Sequence, residues 1–331
     1  MSGVNRQWRL AKRPVGMVAE SDFELVEGEI PEPADGQLRV RNRLLSLEPA
    51  MRGWIEDAPN YLPPVAIGAV MRGMAVAEVE SSRHEGYAPG DLVLGMTGWQ
   101  EWAIGDAGLR KLPRGTDPAL ALSALGMTGI TAYFGLLEVG AAKAGDVVVV
   151  SGAAGATGSV AGQIAKRKGC RVIGIAGGPE KCAWLTGEAH FDAAIDYKSE
   201  DVGERLSALC PDGIDVFFDN VGGPILDAVL ARIARGARIV ICGSIMRYGQ
   251  EEPPPGPRHY FNLTAQRARM EGFVVLDFLP RAEEAMAELM AWVADGSIAW
   301  RADVQKGFEN APATLRRLYT GANFGKQLLE I

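Results

Sequence analysis

Two rhythms divide the chain. Up to about residue 124, short runs such as "QLRVRNRLLSL" and "GDLVLGM" alternate apolar and polar positions between proline and glycine turns, which is the period of half-buried strands. From about 125 the runs become apolar throughout: "DVVVVS", "CRVIGIAG", "DAAIDY", "DVFFDN", "ARIVICG" and "EGFVVL" alternate with segments of helical spacing. Strands buried on both faces read as continuous apolar runs, and a strict strand-helix alternation requires a parallel sheet covered on both sides. The predicted fold class is therefore α/β, a doubly wound parallel sheet accompanied by a β-rich domain. "RIVICG", read as the last strand before the sheet turns over, suits extension of the sheet across a two-fold axis.

One segment tests this division. "VVVVSGAAGATGSVAGQIAKRKG" carries no charge from Val147 to Ala165, close to the length of a membrane span. Glycine, serine and threonine interrupt it, however. Val147 to Val150 are four β-branched residues suited to a central strand. Gly152 to Gly158 read as a turn, and from Ser159 the positions Val160, Ala161, Ile164 and Ala165 fall at helical spacing. Strand, glycine turn and helix together form an anion cradle, because the first turn of a helix presents unpaired N–H groups and the positive end of its dipole. "AAGATG" places Gly155 where backbone approaches a pyrophosphate and Gly158 where helix meets strand, and departs from G-x-G-x-x-G by Ala153 at the first glycine.

The next strand end bears on the nucleotide. An NAD site places an acid there for the ribose 2′-hydroxyl. Here the strand runs into "AGGPEK", with Ala176 to Gly178 small and Lys181 just beyond. A cation in place of an acid favours a 2′-phosphate, hence NADPH, with Glu180 as the one contrary residue.

Composition narrows the partners. The 331 residues carry 34 basic and 41 acidic side chains, a net charge of -7, without the basic patch that nucleic acid demands. "MSGVNRQWRLAKRPVGM" lacks the apolar stretch of a secretory leader, so a cytoplasmic protein with no membrane partner is expected. Cys170, Cys182, Cys210 and Cys242 match neither a disulfide framework nor a metal knuckle and read as buried thiols.

Several motifs in order, "GMTGITAYFGLLEVG", "GAAGATGSVAGQIAKRKGCRVIG", "FDNVGG", "RIVICGSI", "RMEGFVV" and "GANFGKQLLEI", resemble the zinc-independent medium-chain dehydrogenase/reductases. The resemblance is to the leukotriene B4 dehydrogenase/prostaglandin reductase branch, which includes bacterial NADPH-dependent enone and curcumin reductases. "SDFELVEGEIPEP" and "LEPAMRGW" extend it over nearly the whole chain. It implies a Rossmann domain over 125–302 inserted into a β-rich GroES-like catalytic domain made of 1–124 and 303–331. It implies NADPH contacts at Ala154, Gly155, Ala156, Thr157 and Gly158, at Lys181 and Tyr197, and at Asn220. Further contacts are implied at Cys242, Gly243, Ser244 and Tyr248, at Phe273, Val274 and Val275, and at Asn323. A homodimer is implied as well.

The zinc-dependent relatives use a cysteine and a Gly-His-Glu in the first domain together with a four-cysteine lobe. All four cysteines here lie beyond residue 169, and His84 is the only histidine before residue 124, so no zinc site is expected. A hydride donor without a Lewis acid suits an activated alkene, whose charge collects as an enolate. By resemblance, Tyr248 of "CGSIMRYG" is the hydroxyl that meets that oxygen. The loop departs from the family by Met246 for a serine and Gly249 for an asparagine, which leaves packing as the alternative role for Tyr248. Ala50, where the family often has tyrosine, implies a roomier pocket. "QEEPPPGPRHYF" is either a stiff connector or a lid that brings His259 and Tyr260 toward substrate. The expected function is reduction of enones and enals by NADPH. The alternatives are a quinone oxidoreductase and an NADPH-binding protein without turnover.

Overall fold

The computed structural model describes residues 3–252 and 254–331. It divides into two compact units, Met1–Leu122 with Ala302–Ile331, and Ser123–Arg301.

The first unit is built on strands. β1 (Val4–Leu10) pairs antiparallel with β2 (Phe23–Glu29). β3 (Leu38–Ser46) buries Leu38, Val40, Asn42 and Leu44 while turning Arg41 and Arg43 outward, the two-residue period of a strand with one covered face. β4 (Ala75–Ser82), β5 (Leu92–Gly95), β6 (Trp102–Gly105) and β7 (Arg110–Lys111) complete its early part, with the short helices α1 (Met51–Trp54) and α2 (Pro118–Leu122).

The second unit holds β8 (Val147–Ser151), β9 (Arg171–Ala176), β10 (Ala193–Asp196), β11 (Ile214–Asp219), β12 (Ile233–Ile241) and β13 (Arg269–Gly272). All pair in parallel, in the order β10-β9-β8-β11-β12-β13. The order reverses between β8 and β11, which in doubly wound sheets is where ligands bind, beyond the carboxyl ends of the strands. Its helices are α3 (Met127–Phe134), α4 (Ala156–Arg167), α5 (Pro179–Thr186), α6 (Val202–Leu209), α7 (Gly223–Leu230), α8 (Asn262–Gln266) and α9 (Ala282–Ala294). α3 continues as a π-helical stretch, Gly135–Val139. Val149, Ile173, Ile195, Phe217 and Ile239 of the strands form one core with Leu206, Val229 and Leu230.

The chain then returns to the first unit. β14 (Ala302–Lys306), α10 (Ala311–Tyr319) and β15 (Lys326–Glu330) follow, and β15 pairs antiparallel with β3, Leu328 opposite Ser46. The final strand thus enters the sheet begun by the first hundred residues. Trp8, Leu45, Trp54, Trp99, Phe308 and Leu315 share the core beneath, and the Trp8 indole donates to the Phe308 carbonyl at 2.9 Å.

Three sequence expectations shift. α4 begins at Ala156 rather than Ser159. The strand expected at "EGFVVL" lies earlier, at Arg269–Gly272, because its partner β12 ends at Ile241, opposite Gly272, and leaves nothing for Phe273 to pair with. β12 is consequently internal, and β13 is the edge. Among the described residues no helix is long and apolar enough to cross a membrane; the segment at Val147 is a strand followed by a helix.

Candidate nucleotide site

The phosphate turn is shaped by close approach. β8 ends at Ser151, and Gly152 turns the chain with φ +57°. Gly155, extended, is the N-cap of α4. A Cβ on Gly158 would stand 2.5 Å from the Gly152 carbonyl oxygen, so only glycine lets the first turn of α4 press against the chain leaving β8. That contact explains why the helix starts before Gly158 instead of after it. By helix geometry the N–H groups of Ala156, Thr157 and Gly158 have no intrahelical acceptor, which is the equipment of an anion site. Ala153 is fully buried, its N–H bonded to Ile175 O at 3.0 Å and its methyl beside Gly174 of β9. It faces the sheet and not the anion, which accounts for alanine at the first glycine position.

A buried carboxylate braces this edge. Asp219 Oδ1, at the end of β11, accepts the Ser151 hydroxyl at 2.7 Å and the N–H groups of Val221 and Gly222 at 3.0 Å each. Asp219 O accepts Cys242 and Gly243 N–H at 2.9 and 3.0 Å. Asn220 donates its N–H to Ser151 Oγ and its amide to Ser151 O, at 2.8 and 2.7 Å. The ends of β8, β11 and β12, where Ala154–Gly158, Asn220 and Cys242–Ser244 stand, are therefore one hydrogen-bonded unit. Burial pushes the Asp219 carboxyl above the usual carboxylate range, and its Oδ2 is buried without a hydrogen-bond partner. Burial, followed by the charge of Asp219, pushes the Cys242 thiol up to about 12.

The ribose end lies beyond β9. Gly178, at φ +101°, gives its N–H to Asp196 Oδ1 at 2.8 Å and caps α5. Lys181 follows in the first turns of α5. Tyr197 is exposed with its ring against Gly177, where an added Cβ would lie 2.8 Å from it. Glu180 points outward, 3.9 Å from Arg301.

The loop after β12 forms a 3-10 turn, Ile245–Gly249, in which Tyr248 is half-buried. Ser244 Oγ and Met246 Sδ each stand 2.6 Å from where Cβ atoms of Gly222 and Gly223 would be. The thioether that replaces the family's serine thus packs on the "NVGG" turn. The Phe273 ring fills the space left by Gly135 at the start of the π-helical stretch, beside Phe218 and Phe278. Its ring packs inward, and Val274 and Val275 follow half-buried.

Asn323 and Ala50 belong to the β-rich unit. Asn323 donates to Gly325 O at 3.0 Å, in a loop held by Asp303, which pairs with Arg317 at 2.8 Å and accepts Phe324 N–H. Next to it Lys326 is buried and reaches Leu47 O and Glu48 Oε1 at 3.4 Å. His259 is pinned to α7 by Asp227, which accepts its N–H at 2.9 Å and lies 3.0 Å from Nδ1, while Tyr260 is exposed. Of "QEEPPPGPRHYF", Pro253 lies outside the described residues. The sequence reading missed the roles of Asp219 and Ser151; each adjoins a residue it did name, Asn220 and Gly152, and adjacency was the only signal.

A family described as "N-terminal domain of oxidoreductase" matches residues 6–112, and one described as "Zinc-binding dehydrogenase" matches residues 156–295. The chain is 42% identical to the NADPH-dependent curcumin reductase of Escherichia coli (strain K12) over 99% of its own length and 97% of that protein. It is 38% identical to the 2-alkenal reductase (NADP(+)-dependent) of Nicotiana tabacum, again over 99% and 97%. The crystal structure of CurA in complex with NADPH from Vibrio vulnificus superposes with a TM-score of 0.94 at 44% identity, covering 98% of each chain.

Proposed function

The chain belongs to the zinc-independent medium-chain dehydrogenase/reductases, in the branch that includes curcumin reductase and 2-alkenal reductase, and on that footing we propose that it reduces the activated double bond of α,β-unsaturated ketones and aldehydes with NADPH. The observation that carries the reading is the carboxyl edge of the parallel sheet. There a helix start pressed against glycine backbone opens toward an anion, while glycines and a lysine occupy the place of a ribose-binding acid.

The residues fit the cofactor. The first turn of α4 would hold the pyrophosphate, Lys181 and Tyr197 the adenosine phosphate, and Asn220, Cys242–Ser244 and Phe273–Val275 the remainder; a contact from Asn323 is implied by the resemblance alone. Bound there, NADPH would supply a hydride to the β-carbon, the alkene pair forming the enolate double bond as the carbonyl π pair moves onto oxygen. The Tyr248 hydroxyl would donate a hydrogen bond to that oxygen, and the α-carbon would take a proton from solvent. Met246, packed on Gly223, holds the turn that carries Tyr248. Among the described residues no cluster of histidine, cysteine, aspartate or glutamate has the arrangement of a metal site, and His84 accepts the Gly86 N–H in a turn; the proposed mechanism calls on no metal.

The protein is further read as a cytoplasmic homodimer. β13 is an edge strand with Arg269–Gly272 exposed, and an unpaired edge is a template for a second copy. Light scattering at the monomer mass would dismiss this.

The test of function is NADPH oxidation against a panel of enones, enals and quinones, with cofactor deuterated at the transferred position. Deuterium at the β-carbon of a saturated ketone product is expected. Turnover of quinones alone would replace the reading, and no turnover with intact NADPH binding would leave a binding protein.

A further inference from the structure

Lys198, absent from every motif, stands at the ribose end of the site. β10 is latched to β9 there: Tyr197 N–H bonds Ala176 O at 3.1 Å. The Asp196 carboxylate gathers the turn, accepting Gly178 N–H at 2.8 Å, Lys198 N–H at 3.0 Å and the Ser199 hydroxyl at 3.0 Å. This turn sets the Lys198 stem across the bare backbone of Gly177, where a Cβ would lie 2.9 Å from Lys198 Cε. That contact is made by Cε, the carbon that carries the ammonium, so the charge is held beside the loop that follows β9.

The nearby carboxylates have partners of their own. Asp196 accepts three donors and also attracts the Lys198 ammonium. Glu200 pairs with Arg205 at 2.7 Å and accepts Asp196 N–H. Glu180 faces Arg301. Two cations near this loop are carried by different elements, Lys181 on α5, which Gly178 caps, and Lys198 on the turn after β10. An ammonium on a flexible stem is a point charge suited to a phosphate ester, and a pair of them suits a dianion.

Resting on the NADPH reading above, we propose that Lys198 is a second determinant of cofactor choice, binding the 2′-phosphate from the side opposite Lys181, and that Gly177 is glycine so that the Lys198 stem can lie there. The site then discriminates by two charges, and loss of either lysine leaves a partial preference.

The experiment is calorimetric titration of the full-length protein with adenosine 2′,5′-bisphosphate and with AMP, which lacks the 2′-phosphate. For an exposed charge-assisted contact, Lys198→Ala is expected to weaken the bisphosphate about three- to tenfold and leave AMP unchanged. Lys198→Arg restores most of the affinity, and Lys181→Ala with Lys198→Ala abolishes the difference between the two ligands. If the unmodified protein prefers the bisphosphate while Lys198→Ala changes neither ligand, or both alike, Lys198 has no such role. If the unmodified protein binds both equally, the NADPH reading fails and takes this proposal with it.

Discussion

Replacing Asp219 separates what its two oxygens do. Oδ1 receives three donors, the Ser151 hydroxyl and the N–H groups of Val221 and Gly222; Oδ2 receives none. Asp219→Ala strands all three donors in a dry setting. At about 1 kcal/mol per lost hydrogen bond the cost is about 3 kcal/mol, a drop in melting temperature of roughly 6–12 °C for a unit of this size. Asp219→Asn keeps the Oδ1 acceptor and replaces only the unpartnered oxygen, so it should stay within about 1 kcal/mol of the parent. The pH dependence follows from burial, which raises the folded pKa above the unfolded value. The folded state therefore holds the proton more tightly. The stability this supplies is full below the unfolded carboxylate pKa, falls as pH rises toward the folded pKa, and is flat beyond it. Asparagine has no such dependence, so Asp219→Asn should compare better with the parent at neutral pH than near pH 4. Thermal melts and NADPH titrations of the two variants across that range are the assay. An Asp219→Asn protein as unstable as Asp219→Ala at neutral pH would refute the reasoning, since the charge on Oδ2 would then be required.

Tyr248→Phe removes one oxyanion donor, which typically costs ~10²–10³ in turnover. With the cofactor's own ribose hydroxyl able to donate, a loss of about tenfold in single-turnover enone reduction at saturating NADPH is expected; an unaltered rate would make Tyr248 a packing residue. Gly158→Ala forces a methyl to within 2.5 Å of backbone, so NADPH binding should weaken by at least tenfold in direct titration, while Ala156→Gly at the neighbouring position should not approach that loss. Prolonged chelation should leave turnover unchanged, and elemental analysis near one zinc per chain would contradict the metal-free route.

The strand-turn-helix at Val147 was legible because its signals are local: four valines, glycines at fixed offsets, then helical spacing. The start of α4 was misplaced because Gly158 reads as a pause in a helix, whereas its reason is contact with Gly152. "EGFVVL" read as a strand for a comparable reason. Phe273 is apolar because Gly135 makes room for its ring, far away in sequence, and not because the segment joins the ladder. The roles of Asp219 and Lys198 were not legible, since a carboxylate that ties the ends of β8 and β11 together and a lysine laid over a glycine are defined only by what the fold brings to them.

The distribution of thiols has a consequence for endurance. Enones and enals are soft electrophiles that alkylate cysteine by conjugate addition, and they do so through the thiolate. In this chain Cys170 and Cys210 are buried, Cys182 and Cys242 are half-covered, and all four are pushed toward the neutral thiol, Cys170 to about 11. A thiol with that pKa is ionised at roughly one part in ten thousand at pH 7. If the chain turns over such reagents as proposed, burial of its thiols works against their alkylation, most of all at Cys170.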